Sequence, residues 1–116
     1  MMIRIEKSIY DNPEPSDGKR ILVTRLWPRG ISKDRVDLWM KDLGTERDLI
    51  KKWKGGVMSW DSFAAEYNGS LRGKESLLRE LARQSKAGTI TLLCTDKDPR
   101  RCHRSLLKAA VERLAP

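Results

Sequence analysis

The chain has 116 residues, 39% of them hydrophobic and 34% charged, and a formal net charge of +8. This length suits one domain that buries about two-thirds of its unfolded surface, so residues 1–116 are read as a single domain. No stretch approaches the ~18 apolar residues of a membrane span, the N-terminus lacks the apolar core of a signal peptide, and two cysteines are too few for a secreted disulfide scaffold. A cytoplasmic protein with no membrane partner is the expectation.

Ile3, Ile5 and Ile9 fall on odd positions with Arg4, Glu6 and Ser8 between them, which predicts a half-exposed strand at a sheet edge. Asn12 to Gly18 is rich in turn formers. Residues 21–26 form a continuous apolar run with β-branched members, the pattern of a strand covered on both faces. The run ends in Trp27-Pro28-Arg29-Gly30, where Gly30 suits the last position of a type I turn.

Four helices are then expected. Ser32 is placed to cap the first, with Val36, Trp39, Met40 and Leu43 at helical spacing. Thr45 and Asp48 resemble a capping box for the second, which carries Leu49, Ile50 and Trp53. Trp60, Phe63, Ala64, Tyr67 and Leu71 mark the third, and Leu77, Leu78, Leu81 and Ala82 mark the fourth, which ends at Gly88. Residues 89–94 read as a second buried strand. Asp98-Pro99 predicts the start of a last helix, with Leu106, Leu107, Ala110, Val111 and Leu114 on one face. Helices between buried strands predict a small α/β fold, with a mainly parallel sheet and helices packed on both faces.

The charge is concentrated. Residues 19–35 carry six cations against Asp34, a net of +5, and residues 97–113 carry six against Asp98 and Glu112, a net of +4. Ligands of open α/β sheets sit outside the carboxyl ends of the strands. If the two buried strands are parallel neighbours, the segment Arg25–Gly30 meets the segment Cys94–Arg104 there. Arg25, Arg29 and Arg104 would hold a phosphate or carboxylate through guanidinium donors, with Trp27 on the wall. Cys102, His103, Asp96 and Cys94 are the candidates for chemistry. A thiol in the first turn of a helix is acidified, His103 is the only histidine, the residue type whose unperturbed pKa suits proton transfer near neutrality, and Asp96 is placed to orient it or to act as an acid/base group itself.

Each assignment has a structural alternative. Cysteine is among the most buried residue types, and Cys102 and His103 continue the apolar stripe of the last helix. Cys94 and Arg100 have the C-x5-R spacing of phosphatase loops, but Asp96 and Asp98 repel an anion and Pro99 removes a donor. Cys94, Cys102 and His103 offer sulfur and nitrogen to zinc, yet lack a fourth protein ligand unless Asp96 or water completes the set, and no metal site is assigned. The sequence specifies no cofactor.

Arg25-Leu26-Trp27-Pro28-Arg29-Gly30, Leu93-Cys94-Thr95-Asp96 and Cys102-His103-Arg104 together resemble the YeaO-like family of uncharacterised domains (domain of unknown function 488), over nearly the whole chain. The resemblance implies a small α/β domain whose characteristic residues gather at a pocket: Arg25, Arg29, Cys94, Asp96, Cys102, His103 and Arg104. It implies no particular reaction. Relatives with the Cys-His-Arg triplet often carry glutamate where this chain has Asp96. The expected function is therefore binding of, or catalysis on, a small anionic molecule. The alternatives are a nucleic-acid-binding module, suggested by a sequence pI of about 9.8, and a Cys/His redox or metal site.

Overall fold

The computed structural model describes residues 2–114. Four strands, β1 (Ile3–Arg4), β2 (Lys19–Leu22), β3 (Leu38–Trp39) and β4 (Ile90–Leu93), form one sheet in the order β1-β4-β2-β3. Every pairing is parallel, with Ile21 opposite Leu92 and Leu22 opposite Leu93 in the central pair. The helices are α1 (Arg47–Lys54), α2 (Trp60–Ser70), α3 (Glu75–Ala87) and α4 (His103–Leu114). The apolar run Ile-Thr-Leu-Leu makes β4 the wholly buried central strand, as an unbroken apolar run in a parallel sheet should. The short β1 occupies an edge, and Ile9 lies beyond it with its N–H donating to the Cys94 carbonyl (2.9 Å).

The sheet faces are covered unequally. Ile3, Ile21, Ile90 and Leu92 pack in the main core with Phe63 and Tyr67 of α2, Leu78 and Leu81 of α3, and Leu107 and Val111 of α4. On the other face Leu22 and Leu93 pack with Ile9, Trp27, Ile31 and Val36 from irregular segments. Beneath that second face Asp17 is fully buried and pairs with Lys7 (3.0 Å) and Arg20 (2.5 Å). Burial alone would raise the Asp17 carboxyl, but the Glu14 N–H and the two cations hold it below its ordinary value.

The helix expected after Ser32 does not form. Its place is taken by a 3-10 turn at Lys33–Arg35, strand β3 and a second turn at Lys41–Leu43. The residues of the apparent helical stripe belong to different layers: Val36 packs on the second face, Met40 and Leu43 lie in the main core, and Trp39 is 37% exposed. Pairing to the open edge of β2 decides the outcome, because Asp37 N–H donates to Arg20 and Met40 N–H to Leu22 (2.9 Å each). Tertiary hydrogen bonding overrides a weak local propensity.

Two helix starts also differ. The Thr45–Asp48 capping box is absent: Glu46 precedes α1 without a side-chain cap, and Thr45 is buried. Asp98 does not cap α4, which starts at His103, because its carboxylate accepts from the Arg100 N–H (3.0 Å) and closes a local turn. Helix α2 is capped by Ser59, whose Oγ accepts from the Ser62 N–H (3.1 Å). Among the described residues, no helix is long and apolar enough to cross a membrane.

Candidate functional site

Because β2 and β4 run parallel side by side, the segments that follow them leave the same end of the sheet. The structure brings Arg25–Arg29 and Cys94–His103 together around a cavity of about 280 Å³. Its third wall is α1, whose residues Arg47, Ile50 and Lys54 (spacing i, i+3, i+7) share one helical face. Close approach of the backbone shapes the rim: a Cβ on Gly44 would lie 2.2 Å from the Arg25 nitrogen. Gly30, at φ 79°, turns the chain away after Arg29.

Trp27 is half-buried in the wall, fixed by donation from Nε1 to the Ile31 carbonyl (2.8 Å) and by an edge contact with Trp39 (ring centroids 5.3 Å apart). Arg25 and Arg29 are exposed at the mouth. Arg25 Nη2 stands 4.0 Å from Glu46, a loose surface pair worth little. Asp96 is the only carboxylate in the lining, and Lys54 pairs with it at 2.6 Å. Among the described residues, Arg29 and Arg47 make no ion pair, and the buried Thr45 Oγ1 has no hydrogen-bond partner.

Cys94, Cys102 and His103 lie at the inner end, all buried. The His103 Nε2 is 2.6 Å from the Val23 carbonyl, which only accepts, so Nε2 carries the hydrogen. Nδ1 then faces the sulfurs of Cys102 (3.6 Å) and Cys94 (4.0 Å), and the Tyr67 ring packs edge-on against the imidazole. Donation from Cys94, with His103 and Arg104 alongside, pushes the Cys102 thiol well down, whereas the bond to Cys102 and burial push Cys94 up.

Arg104, expected to hold the anion, is fully buried and lies outside the cavity lining. Its guanidinium donates to the carbonyls of Lys7 and of Asp96 (2.7 Å) and to Cys102 Sγ (3.3 Å), tying three segments together behind the site. The sequence contained the signal, since Arg104 stands three and seven residues before the buried Leu107 and Val111 on α4. Arg100 points into solvent and pairs with Asp98 (3.2 Å), so no phosphatase-like cradle forms. Arg47, Lys54 and Thr45 were not anticipated. The four cations of α1 against Asp48 were the available clue.

A small parallel α/β domain with a strand-end cavity, cations at its mouth and a Cys-Cys-His cluster at its inner end is the class of protein these features define. Residues 2–115 match the model of the inactive DUF488-N3 subclade, and the chain belongs to this YeaO-like DUF488 family. It is 38% identical over 103 residues to the uncharacterised protein YeaO of Escherichia coli (strain K12), covering 87% of this chain and 90% of that protein. It is 32% identical over 101 residues to the uncharacterised protein Rv3073c of Mycobacterium tuberculosis (strain ATCC 25618 / H37Rv), covering 85% of each. No solved structure matches.

Proposed function

We propose that the strand-end cavity binds a small phosphate- or carboxylate-bearing molecule, and that the protein acts as a binding domain rather than a catalyst. The observation that carries this reading is the ring of Arg25, Arg29, Arg47 and Lys54 around a cavity whose single carboxylate is already paired. Guanidinium groups supply bidentate donors to such anions. Trp27 and Trp53 offer apolar walls suited to a planar ring, as in a mononucleotide. The volume falls near the lower end of the range for ligand sites, roughly 300 Å³, which favours a ligand of that size or smaller.

Binding without turnover is supported by the engagement of the groups suited to chemistry. His103 has one nitrogen on a backbone carbonyl and the other between two sulfurs, so neither is free for proton transfer to a cavity ligand. The Asp96 carboxylate is held by Lys54. The description of the family as an inactive subclade agrees.

Thermal unfolding with inorganic phosphate, pyrophosphate, AMP and citrate tests this. A ligand present at about 100 times its Kd stabilises by about 2.7 kcal/mol, or roughly 10 °C for a domain of this size. Arg29→Ala and Arg47→Ala each weaken binding about tenfold or more while leaving the unliganded Tm unchanged, since both side chains are exposed. No shift with any of the four, or equal shifts in the variants, refutes the reading. A steep loss of nucleic-acid affinity with salt, dependent on Arg101 and Lys108 rather than Arg29, would establish the alternative.

A further inference from the structure

We propose that Cys94 Sγ, Cys102 Sγ and His103 Nδ1 form a three-ligand site for a zinc-class metal ion, with a fourth position open to the cavity. The three donor atoms lie within 4.8 Å of one another, at the inner end of the cavity. Tetrahedral zinc, with bonds of about 2.3 Å to sulfur and about 2.0 Å to nitrogen, places ligand atoms roughly 3.6–3.8 Å apart. The observed separations of 3.6 and 4.0 Å from Nδ1 to the two sulfurs need only a slight contraction. Two thiolates and one imidazole form a donor set that favours zinc over the hard, oxygen-seeking cations.

The surroundings match those of a metal ligand set. A ligating histidine characteristically donates its other N–H to a carbonyl or carboxylate, which fixes the ring and directs the lone pair at the metal. His103 does this through Nε2 to Val23, with Tyr67 packed against the ring. Cys102 also has an outer donor in the Arg104 Nε–H (3.3 Å), which favours its thiolate form. Two thiolates balance the charge of a divalent ion, so the ion and its three ligands carry no net charge of their own beside the buried Arg104 guanidinium. The missing fourth protein ligand, which argues against a closed structural site, is what a site open to a cavity requires. Water is its resting occupant.

The test is a cobalt titration of the full chain, stripped with chelator, fully reduced and held in a non-coordinating buffer without phosphate. The outcome is thus independent of whether the cavity takes an anion. The wild type is expected to bind one equivalent of Co(II), with a near-ultraviolet sulfur-to-cobalt charge-transfer band and the intense visible bands of tetrahedral coordination, all abolished by one equivalent of Zn(II). Cys94→Ser and Cys102→Ser should each lower the charge-transfer intensity by about half or more. If a variant fails to fold, the wild-type titration decides alone. Reduced, folded wild type that leaves Co(II) in its octahedral aqueous spectrum overturns the proposal. So does a tetrahedral spectrum that survives unchanged in both folded serine variants.

Discussion

Replacing Arg104 by lysine separates a structural role for this side chain from a ligand-holding one. The guanidinium is fully buried and makes three polar contacts, to the Lys7 and Asp96 carbonyls and to Cys102 Sγ. These lie on separate segments, and a single ammonium on a flexible stem does not reproduce the planar fork that spans them. Losing one or two charge-assisted hydrogen bonds, each worth about 1.5–3 kcal/mol, predicts a destabilisation of about 3 kcal/mol. Set against a typical total of roughly 5–15 kcal/mol, that lowers Tm by roughly 12 °C in a domain of this size. Urea unfolding followed by tryptophan fluorescence measures it, with an unchanged m-value expected because the surface exposed is the same. Arg100→Lys is the control: its side chain is 87% exposed, so a change within about 0.5 kcal/mol is expected. If Arg104→Lys stays within about 1 kcal/mol of wild type and instead loses affinity for anions, the buried-brace account is wrong and Arg104 belongs to the ligand.

Two further predictions concern the frame of the site. Asp17 has a carboxyl held below its ordinary value in the folded chain, so its stabilising contribution is complete above the unfolded carboxyl value, about 3.9, and fades as the pH falls through the folded value. Asp17→Asn should therefore lose about 3–5 kcal/mol at pH 7 by stranding Lys7 and Arg20, and the gap from wild type should narrow in chemical denaturation as the pH drops below ~4. A gap that is constant with pH would contradict the ion-pair reading. Gly44→Ala places a methyl 2.2 Å from the Arg25 nitrogen and 2.5 Å from the Thr24 carbonyl carbon, both backbone atoms that cannot swing aside. It should cost about 1–3 kcal/mol and weaken anion binding by displacing Arg25, which parallel unfolding and calorimetric titrations would reveal; wild-type stability would count against that packing.

What the sequence revealed depended on whether a pattern had one physical interpretation. The unbroken apolar run of β4 read as a buried strand, and so did residues 21–26, although only Ile21 and Leu22 of that run lie in β2, which begins instead at the charged Lys19 and Arg20; the stripes of α2 and α3 read as helices with one covered face. Parallel pairing then implied that Arg25–Arg29 and Cys94–His103 would converge. The segment Val36–Leu43 misled because its helical spacing is also met by residues divided between two sheet faces, and only the open edge of β2 distinguishes the cases. Arg104 misled because a cation beside a pocket invites a ligand role, although its register with Leu107 and Val111 placed it in the core. Arg47 and Lys54 could not be assigned, because which face of α1 meets the cavity is set by how the chain returns from β3.

The central claim, that the strand-end cavity receives a small anion, is tested most directly by titrating the 15N-labelled chain with AMP and pyrophosphate and following backbone amide shifts. Saturable shifts confined to residues 24–30, 45–54 and 94–96 are predicted. Shifts that do not saturate, or that gather instead on the outer face of α4 around Lys108, would contradict it.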